Sequence, residues 1–320
     1  MEQTNFPYMV TTSAPSGYPI EVHLGYFTDK NKAVICGVPK TGIERSGWQY
    51  DGDEGGQGGN EIPSHLTLTY VAYAEKKFYQ VDADLPKEKF LEIFRKGYDH
   101  VERDDRIVNE TYSTLTVGMA PGGVVVIWLS GNNNRAEICR LQAKETFVDK
   151  NEFRPVPKYD ETQQQFFETK FKIAVPDSIR TEIAKSGIPY GLWDKYRDKY
   201  KYRFVLKPYD EKDVFTLNYY LYYNGEADEV LQKELDTKSY MEKGIPYNCS
   251  FLFTQYSTEI IFNDKEMLQV FTTMKSKYPD QPVDIVITPT FMYNEMKVSV
   301  KCGNEEVKLE KYKVVGVWGG

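Results

Sequence analysis

The sequence predicts an α+β fold of two mainly antiparallel β-sheet units, each with one packed helix, joined by a short helical segment. Three observations predict it. Residues 114–131, TLTVGMAPGGVVVIWLSG, form the most apolar run in the chain and read as strand, tight turn, strand. Phe90, Leu91, Ile93, Phe94 and Tyr98 share one face at helical spacing, and Met267-Leu268-Gln269-Val270-Phe271 repeats the pattern of Phe90-Leu91-Glu92-Ile93-Phe94. Around these two helices the order strand, helix, strand, strand, strand occurs twice, as in an internal duplication. Coincidences of this kind also arise in unrelated α+β chains, so both readings stand at this point.

Each element has a local cause. Residues 1–17 read as an irregular lead. Residues 18–27 alternate well enough for a strand, and 33–38 make a second, short one. Residues 47–60, GWQYDGDEGGQGGN, hold six Gly and three acids and predict a flexible loop. Residues 66–81 are strand, broken near Glu75-Lys76-Lys77. Asp84 and Pro86 suit the first turn of the helix that follows, and Gly97 its exit. In the central hairpin Pro121 fixes φ, and Gly122 or Gly123 can take φ > 0. Gly131-Asn132-Asn133-Asn134 turns the chain into a strand over 135–148.

Residues 150–164, with Pro155 and Pro157, read as a linker, and 166–174 are undecided between helix and strand. Residues 176–185 predict a short helix stopped by Gly187 and Pro189. Tyr190-Gly191-Leu192-Trp193 leads into a charged helical piece ending near Tyr200. Strands return over 202–207, 215–223 and 250–262. A helix over 263–277 opens on a capping-box pattern, Asn263 with Glu266, and ends at Tyr278-Pro279. Residues 283–288, 296–301 and 306–315 complete a second β group. The domain reading is therefore 1–150, an N-terminal α+β domain; 151–201, a linker and helical segment; and 202–320, a C-terminal α+β domain.

Composition sets limits on function. A net charge of −7 argues against nucleic acid or an anionic membrane as main partners, because both select for basic surface. It is compatible with a basic protein partner. The aromatic share of 14%, with 25 Tyr and 17 Phe, suits half-buried sheet faces and also protein–protein contacts. Cys36, Cys139, Cys249 and Cys302 form no CxxC or zinc spacing, and two fall in each half, so one bridge per half and four reduced thiols both stand. The first residues show neither a basic n-region nor an apolar h-region. No run approaches the length of a transmembrane helix.

Catalytic patterns are not found. There is no GxSxG, and His23, His65 and His100 lack metal-type partners at i+2 to i+4. Asp82/Asp84, Asp51/Asp53/Glu54 and Asp104/Asp105 sit in loops or at a helix cap, where solvation and capping account for them. Asp51-Gly52-Asp53-Glu54-Gly55 lacks the ordered ligands of an EF-hand. GGQGGN is not a phosphate loop. The reading is a non-enzyme without cofactor or metal. Trp48, Tyr50, Tyr190, Trp193 and Tyr196 are the candidate exposed recognition aromatics, with Asp51, Asp53 and Glu54 beside the first two. The alternative for the later segment is that Leu192 and Trp193 dock the short helix onto a sheet.

Four segments in order resemble a known family. They are Gly17-Tyr18-Pro19-Ile20-Glu21-Val22, Tyr73-Ala74-Glu75-Lys76-Lys77-Phe78-Tyr79, Ala120-Pro121-Gly122-Gly123-Val124-Val125-Val126 with Trp128-Leu129-Ser130-Gly131, and Ile188-Pro189-Tyr190-Gly191-Leu192-Trp193-Asp194-Lys195-Tyr196. The resemblance is to the bacterial family of domain of unknown function 2931, over about residues 17–200. Members are mostly lipoproteins, many encoded beside lipase-type effectors of type VI secretion. The resemblance implies an immunity protein that binds a cognate toxin and blocks it by steric occlusion, with no catalytic residues to carry over. It also implies a periplasmic or membrane-anchored location where an export signal has been trimmed; otherwise the expectation is cytoplasmic. The chain departs from the family in showing no lipobox cysteine at its start and in its extra length after Tyr202. Two rival readings are a periplasmic or surface module for glycan or lipid, and a hydrolase in which one of the three histidines meets an acid and a hydroxyl in a cleft.

Overall fold

The structure is a computed structural model and describes residues 3–53, 58–155, 161–207, 210, 212, 214–235, 239–290 and 295–319. The chain divides into two units. Unit 1 comprises Met1–Tyr98 and Glu110–Asp194; unit 2 comprises Asp99–Asn109 and Lys195–Gly320. The helical segment read as a separate linker thus belongs to unit 1 as far as Asp194, and eleven residues from the N-terminal half, 99–109, group with unit 2.

From the N-terminus the elements run β1 (Asn5–Ser13), β2 (Ile20–Thr28), β3 (Val34–Gly37), β4 (Gly59–Glu61), β5 (His65–Ala72), β6 (Lys77–Asp84), α1 (Lys87–Lys96), the hairpin β7 (Tyr98–Val101) and β8 (Ile107–Glu110), then β9 (Thr114–Ala120), β10 (Val124–Gly131), β11 (Asn134–Gln142) and β12 (Lys144–Thr146). Helices α2 (Lys150–Phe153), α3 (Gln163–Ala174), α4 (Asp177–Ser186) and α5 (Leu192–Lys195) follow. The first seventeen residues are not an irregular lead. Phe6, Tyr8 and Val10 alternate into the core, and the strand pairs in parallel with β9, Met9 facing Thr114. Pro7, which hides this strand in the sequence, lies where the register with β4 shifts between Asn5 and Tyr8, a position that needs no ladder donor.

In unit 1 two five-stranded sheets, ordered β11-β10-β9-β1-β4 and β12-β6-β5-β2-β3, face each other. Val10, Leu115, Val117, Ile127 and Leu129 from one meet Val22, Phe27, Leu66, Leu68 and Val81 from the other. Helix α1 adds Phe90 and Phe94, the latter stacked on Phe6 at 4.8 Å. The central hairpin forms as read: Ala120 pairs with Val124 across a three-residue turn in which both Gly122 and Gly123 have positive φ. Helices α2 and α3 cover the outward face of the second sheet. There Phe78 meets Phe153 at 5.3 Å and Phe167 at 5.7 Å, while Val71 and Tyr73 are fully buried. The undecided stretch is helix because Thr162 and Gln165 close a reciprocal capping box ahead of it.

Unit 2 contains β13 (Tyr200–Leu206), β14 (Phe215–Tyr222), β15 (Ala227–Leu231), α6 (Gln232–Leu235), β16 (Met241–Lys243), β17 (Pro246–Phe253), β18 (Tyr256–Phe262), α7 (Asp264–Lys277), β19 (Val283–Pro289), β20 (Met296–Cys302), β21 (Glu305–Lys308) and β22 (Tyr312–Gly319). The stretch 306–315, read as one strand, is two strands, β21 and β22. Within this unit one sheet is ordered β21-β20-β19-β13-β16 and the other β22-β18-β17-β14-β15. Strand for strand this is the topology of unit 1, with the parallel pair β13–β19 in the place of β1–β9. Met267 and Phe271 of α7 enter the core as Phe90 and Phe94 do. The duplication is therefore present at the level of topology. The turns also correspond: Gly131 pairs with Asn134 and Cys302 with Glu305, so Asn132 takes the place of Gly303. Both have positive φ. Asn263 caps α7 by accepting from the Glu266 N–H, but the Glu266 carboxylate turns to the N–H groups of Glu310 and Lys311 and no reciprocal box forms.

Candidate functional site

Three of the five aromatics expected at the surface are buried. Trp48 is 3% exposed, Trp193 4% and Tyr196 5%. Each has found a partner distant in sequence. Trp48 packs edge-on to Trp128 at 4.8 Å, Trp193 meets Tyr18 at 5.3 Å, and Tyr196 stacks on Tyr223 at 5.0 Å while its hydroxyl donates to Asp264. The segment carrying Tyr190, Trp193 and Tyr196 straddles the boundary, the first two in unit 1 and Tyr196 in unit 2. Tyr50 and Tyr190 are exposed, at 41% and 57%.

The loop that carries Trp48, Tyr50 and Asp51 is stitched to the outward face of the sheet around β1 and β9. Thr11 Oγ1 donates to the carbonyls of Gly52 and Asp53, and Ser13 Oγ to that of Gly47. Thr12 Oγ1 donates to the buried carboxylate of Glu44, and the Gly52 N–H to the Thr12 carbonyl. Asp51 accepts from the hydroxyls of Thr116 and Ser130, at 2.6 and 3.2 Å. Polar groups placed on a buried sheet face need such partners, and the loop supplies them. Glu54 lies outside the described residues.

Arg135 holds this arrangement from beneath. Its guanidinium lies 4.2 Å from the Trp128 ring centroid, donates to the Trp48 carbonyl at 3.1 Å and stands 3.5 Å from Asp51. Burial pushes its pKa down to about 10, still far above neutrality, so the cation persists. Gly118 lets Trp128 in: a Cβ there would run into that ring and reach 3.0 Å from Trp48. Chemically the cluster fixes a loop; Asp51 has its hydrogen bonds taken up by neutral hydroxyls. What the loop presents is Tyr50, whose N–H is tied to the Gly47 carbonyl.

Tyr190 belongs to a separate place. It lies against the hairpin at Gly122 and beside Glu75, whose Oε1 accepts from the Tyr79 hydroxyl and the Gly122 N–H. Burial outweighs these bonds and raises the Glu75 pKa. Sequence reading gave no role to Glu75, Arg135, Thr116 or Ser130: Glu75 and Ser130 lie in segments that resemble the family but carry no assigned roles, and the other two lie in none.

The histidines bear on the hydrolase reading. His65 does meet acids: Nε2 lies 2.5 Å from Asp82 and Nδ1 2.8 Å from Asp84. The nearby Thr67 hydroxyl donates to Asp82 and not to the ring. Both ring nitrogens face carboxylates, which raises the His65 pKa and favours an imidazolium; such a ring has no lone pair for a hydroxyl proton. His23 packs on Phe153, and burial lowers its pKa. His100 is half-buried on β7. Among the described residues no group of three or more His, Cys, Asp or Glu is placed to hold a metal ion, and no helix is long and apolar enough to cross a membrane. The four cysteines are free thiols.

Comparison with known proteins adds one finding. No curated protein and no solved structure matches the chain. A family model described as "Protein of unknown function (DUF2931)" matches residues 1–191, nearly all of unit 1 and more than half of the chain. Unit 2 repeats the topology outside that match. On that match and the segments that resemble it, the chain belongs to the DUF2931 family.

Proposed function

We propose that this chain is a non-enzymatic binding protein of the immunity type, which neutralises a cognate antibacterial lipase-type effector by steric occlusion. One observation carries the reading: Tyr50 stands exposed between anchored neighbours, with Trp48 buried on one side and Asp51 held by Thr116 and Ser130 on the other. An aromatic fixed before binding loses little entropy on contact and makes an efficient anchor. The exposed Asp53 near it favours a partner with basic surface. The engagement of His65 by two carboxylates supports binding over acid–base chemistry.

The test is calorimetric titration against lipase-type effectors encoded beside the gene, with Tyr50→Ala as the variant. The expected outcome is tight binding by the wild type and a loss of affinity of about 2 kcal/mol or more for Tyr50→Ala. Stability should change by less than about 0.5 kcal/mol, because Tyr50 sits at the surface and outside the core. Absence of binding at micromolar concentration would remove the reading.

A further inference from the structure

Beneath α3 unit 1 holds a cavity of about 380 Å³. Its walls are Lys150 and Asn151 of α2, Arg154 just after it, Glu161, and Phe166, Thr169, Lys170 and Ile173 of α3. The α3 residues recur at three- and four-residue spacing, so one face of the helix forms the wall. The volume lies within the range of small-molecule sites.

Among the described residues the charges around the cavity do not balance. Arg154 is spoken for: Nη2 donates to both oxygens of Glu21 at 2.6 Å, and Glu21 also accepts from the Tyr73 hydroxyl at 2.5 Å. Lys150 Nζ donates to the side chain of Asn151 at 2.9 Å. Lys170 is half-buried and makes no hydrogen bond or ion pair with any described residue. Among the described residues three cations, Lys150, Arg154 and Lys170, stand against two carboxylates, Glu161 and Glu21, which leaves one positive charge in excess beside Phe166 and Ile173. Burial and the neighbouring Arg154 both lower the Lys170 pKa, the direction expected of an ammonium short of a counter-ion. A partly desolvated cation next to an apolar wall fits a ligand with a single negative charge on an apolar body. A dianion such as a phosphate ester would leave its second charge unanswered.

We propose that this cavity binds a small amphiphilic carboxylate, a medium-chain acyl anion, with the Lys170 ammonium on the carboxylate and Phe166 and Ile173 along the chain. The site is independent of the Tyr50 surface and is tested on the protein alone. Octanoate is titrated into the full chain by calorimetry, beside octanamide, which keeps the chain without the charge, and acetate, which keeps the charge without the chain. Octanoate is expected to saturate one site, with octanamide and acetate each at least about tenfold weaker, a loss of about 1.4 kcal/mol. Lys170→Met should cost octanoate the same factor and leave octanamide unchanged. Ile173→Ser, at an exposed position, should weaken both. Octanoate affinity should fall as pH rises through the lowered Lys170 pKa. The proposal is overturned if octanoate does not saturate in the millimolar range, if octanamide binds as well, or if Lys170→Met binds octanoate like the wild type. Urea unfolding of both variants confirms that they fold, since neither position carries a structural bond.

Discussion

Arg135 shows how a single side chain decides what lies above it. It is a buried cation that faces one aromatic ring, one carbonyl and one carboxylate. Removing one partner of a buried charge pair leaves the other uncompensated. Arg135→Ala should therefore destabilise unit 1 by about 3 kcal/mol in urea unfolding. It should also release Tyr50 from its fixed position, so effector affinity should fall even though Tyr50 is intact. The histidines give a second prediction, read by proton NMR. His65 should titrate above its ordinary value of about 6.5 and His23 below it. The signs for stability then differ. His65 stabilises the fold fully below pH 6.5, and that contribution is lost as pH rises through its raised folded value. His23 is favoured neutral, so its environment costs stability once pH falls below 6.5. Little at this scale was legible from sequence. Trp48 sits among Gly and acids and reads as exposed, and for Trp193 docking onto a sheet is one of two readings; their partners, Trp128 and Tyr18, are brought near only by the tertiary fold. Thr116 lies in no motif, and the segment holding Ser130 marks the family without assigning that hydroxyl a role.

Elements were more legible than residues, for a physical reason. The hairpin of β9 and β10, helix α1 and helix α7 announce themselves through local periodicity and turn chemistry, and those signals need no distant partner. Where a strand is bounded by Pro or a helix is polar, the local signal fails. Strand β1 was missed because of Pro7, and α3 stayed undecided because its apolar face is interrupted by Glu168, Lys170 and Lys172. Yet the Thr162-x-x-Gln165 pattern was there to be read, and it is the feature that starts the helix. Thr162→Ala should cost about 1 kcal/mol in thermal or urea unfolding, with Thr162→Ser close to neutral. Loss of that cap should also loosen the wall of the cavity, so octanoate binding should weaken alongside stability.

At the scale of the whole chain, two units of one topology make an internal control. Phe94 and Phe271 occupy equivalent places on α1 and α7, and each is fully or almost fully buried. Phe94→Ala and Phe271→Ala should each cost about 4 kcal/mol to the unit that contains it, from lost burial and the cavity left behind. Hydrogen exchange, followed unit by unit, reads the two costs separately. A large difference between them would mean that the common strand order conceals different cores. Aromatic pairing differs between the cores in detail: Phe94 stacks on Phe6, whereas Phe271 meets Tyr200 and Tyr202 edge-on. The duplication was visible in the sequence around the two helices, where spacing is strict. It was invisible in the strands before them, where side chains have diverged and only pairing order is kept.

The parallel pairing of β1 with β9 has a consequence during synthesis. Met9 leaves the ribosome long before Thr114, its partner. At ordinary rates of about 5–20 residues per second the first strand waits roughly ten seconds for the edge it will join. Until β4 emerges Phe6, Tyr8 and Val10 stand on an unclaimed ribbon, and until β9 follows one edge of it stays open to capture by any other nascent chain. Tyr202 waits for Val283 in the same manner. The polypeptide thus passes twice through a window of aggregation risk, and its yield in cells should depend on chaperones that shield emerging segments more than on the stability of the finished fold.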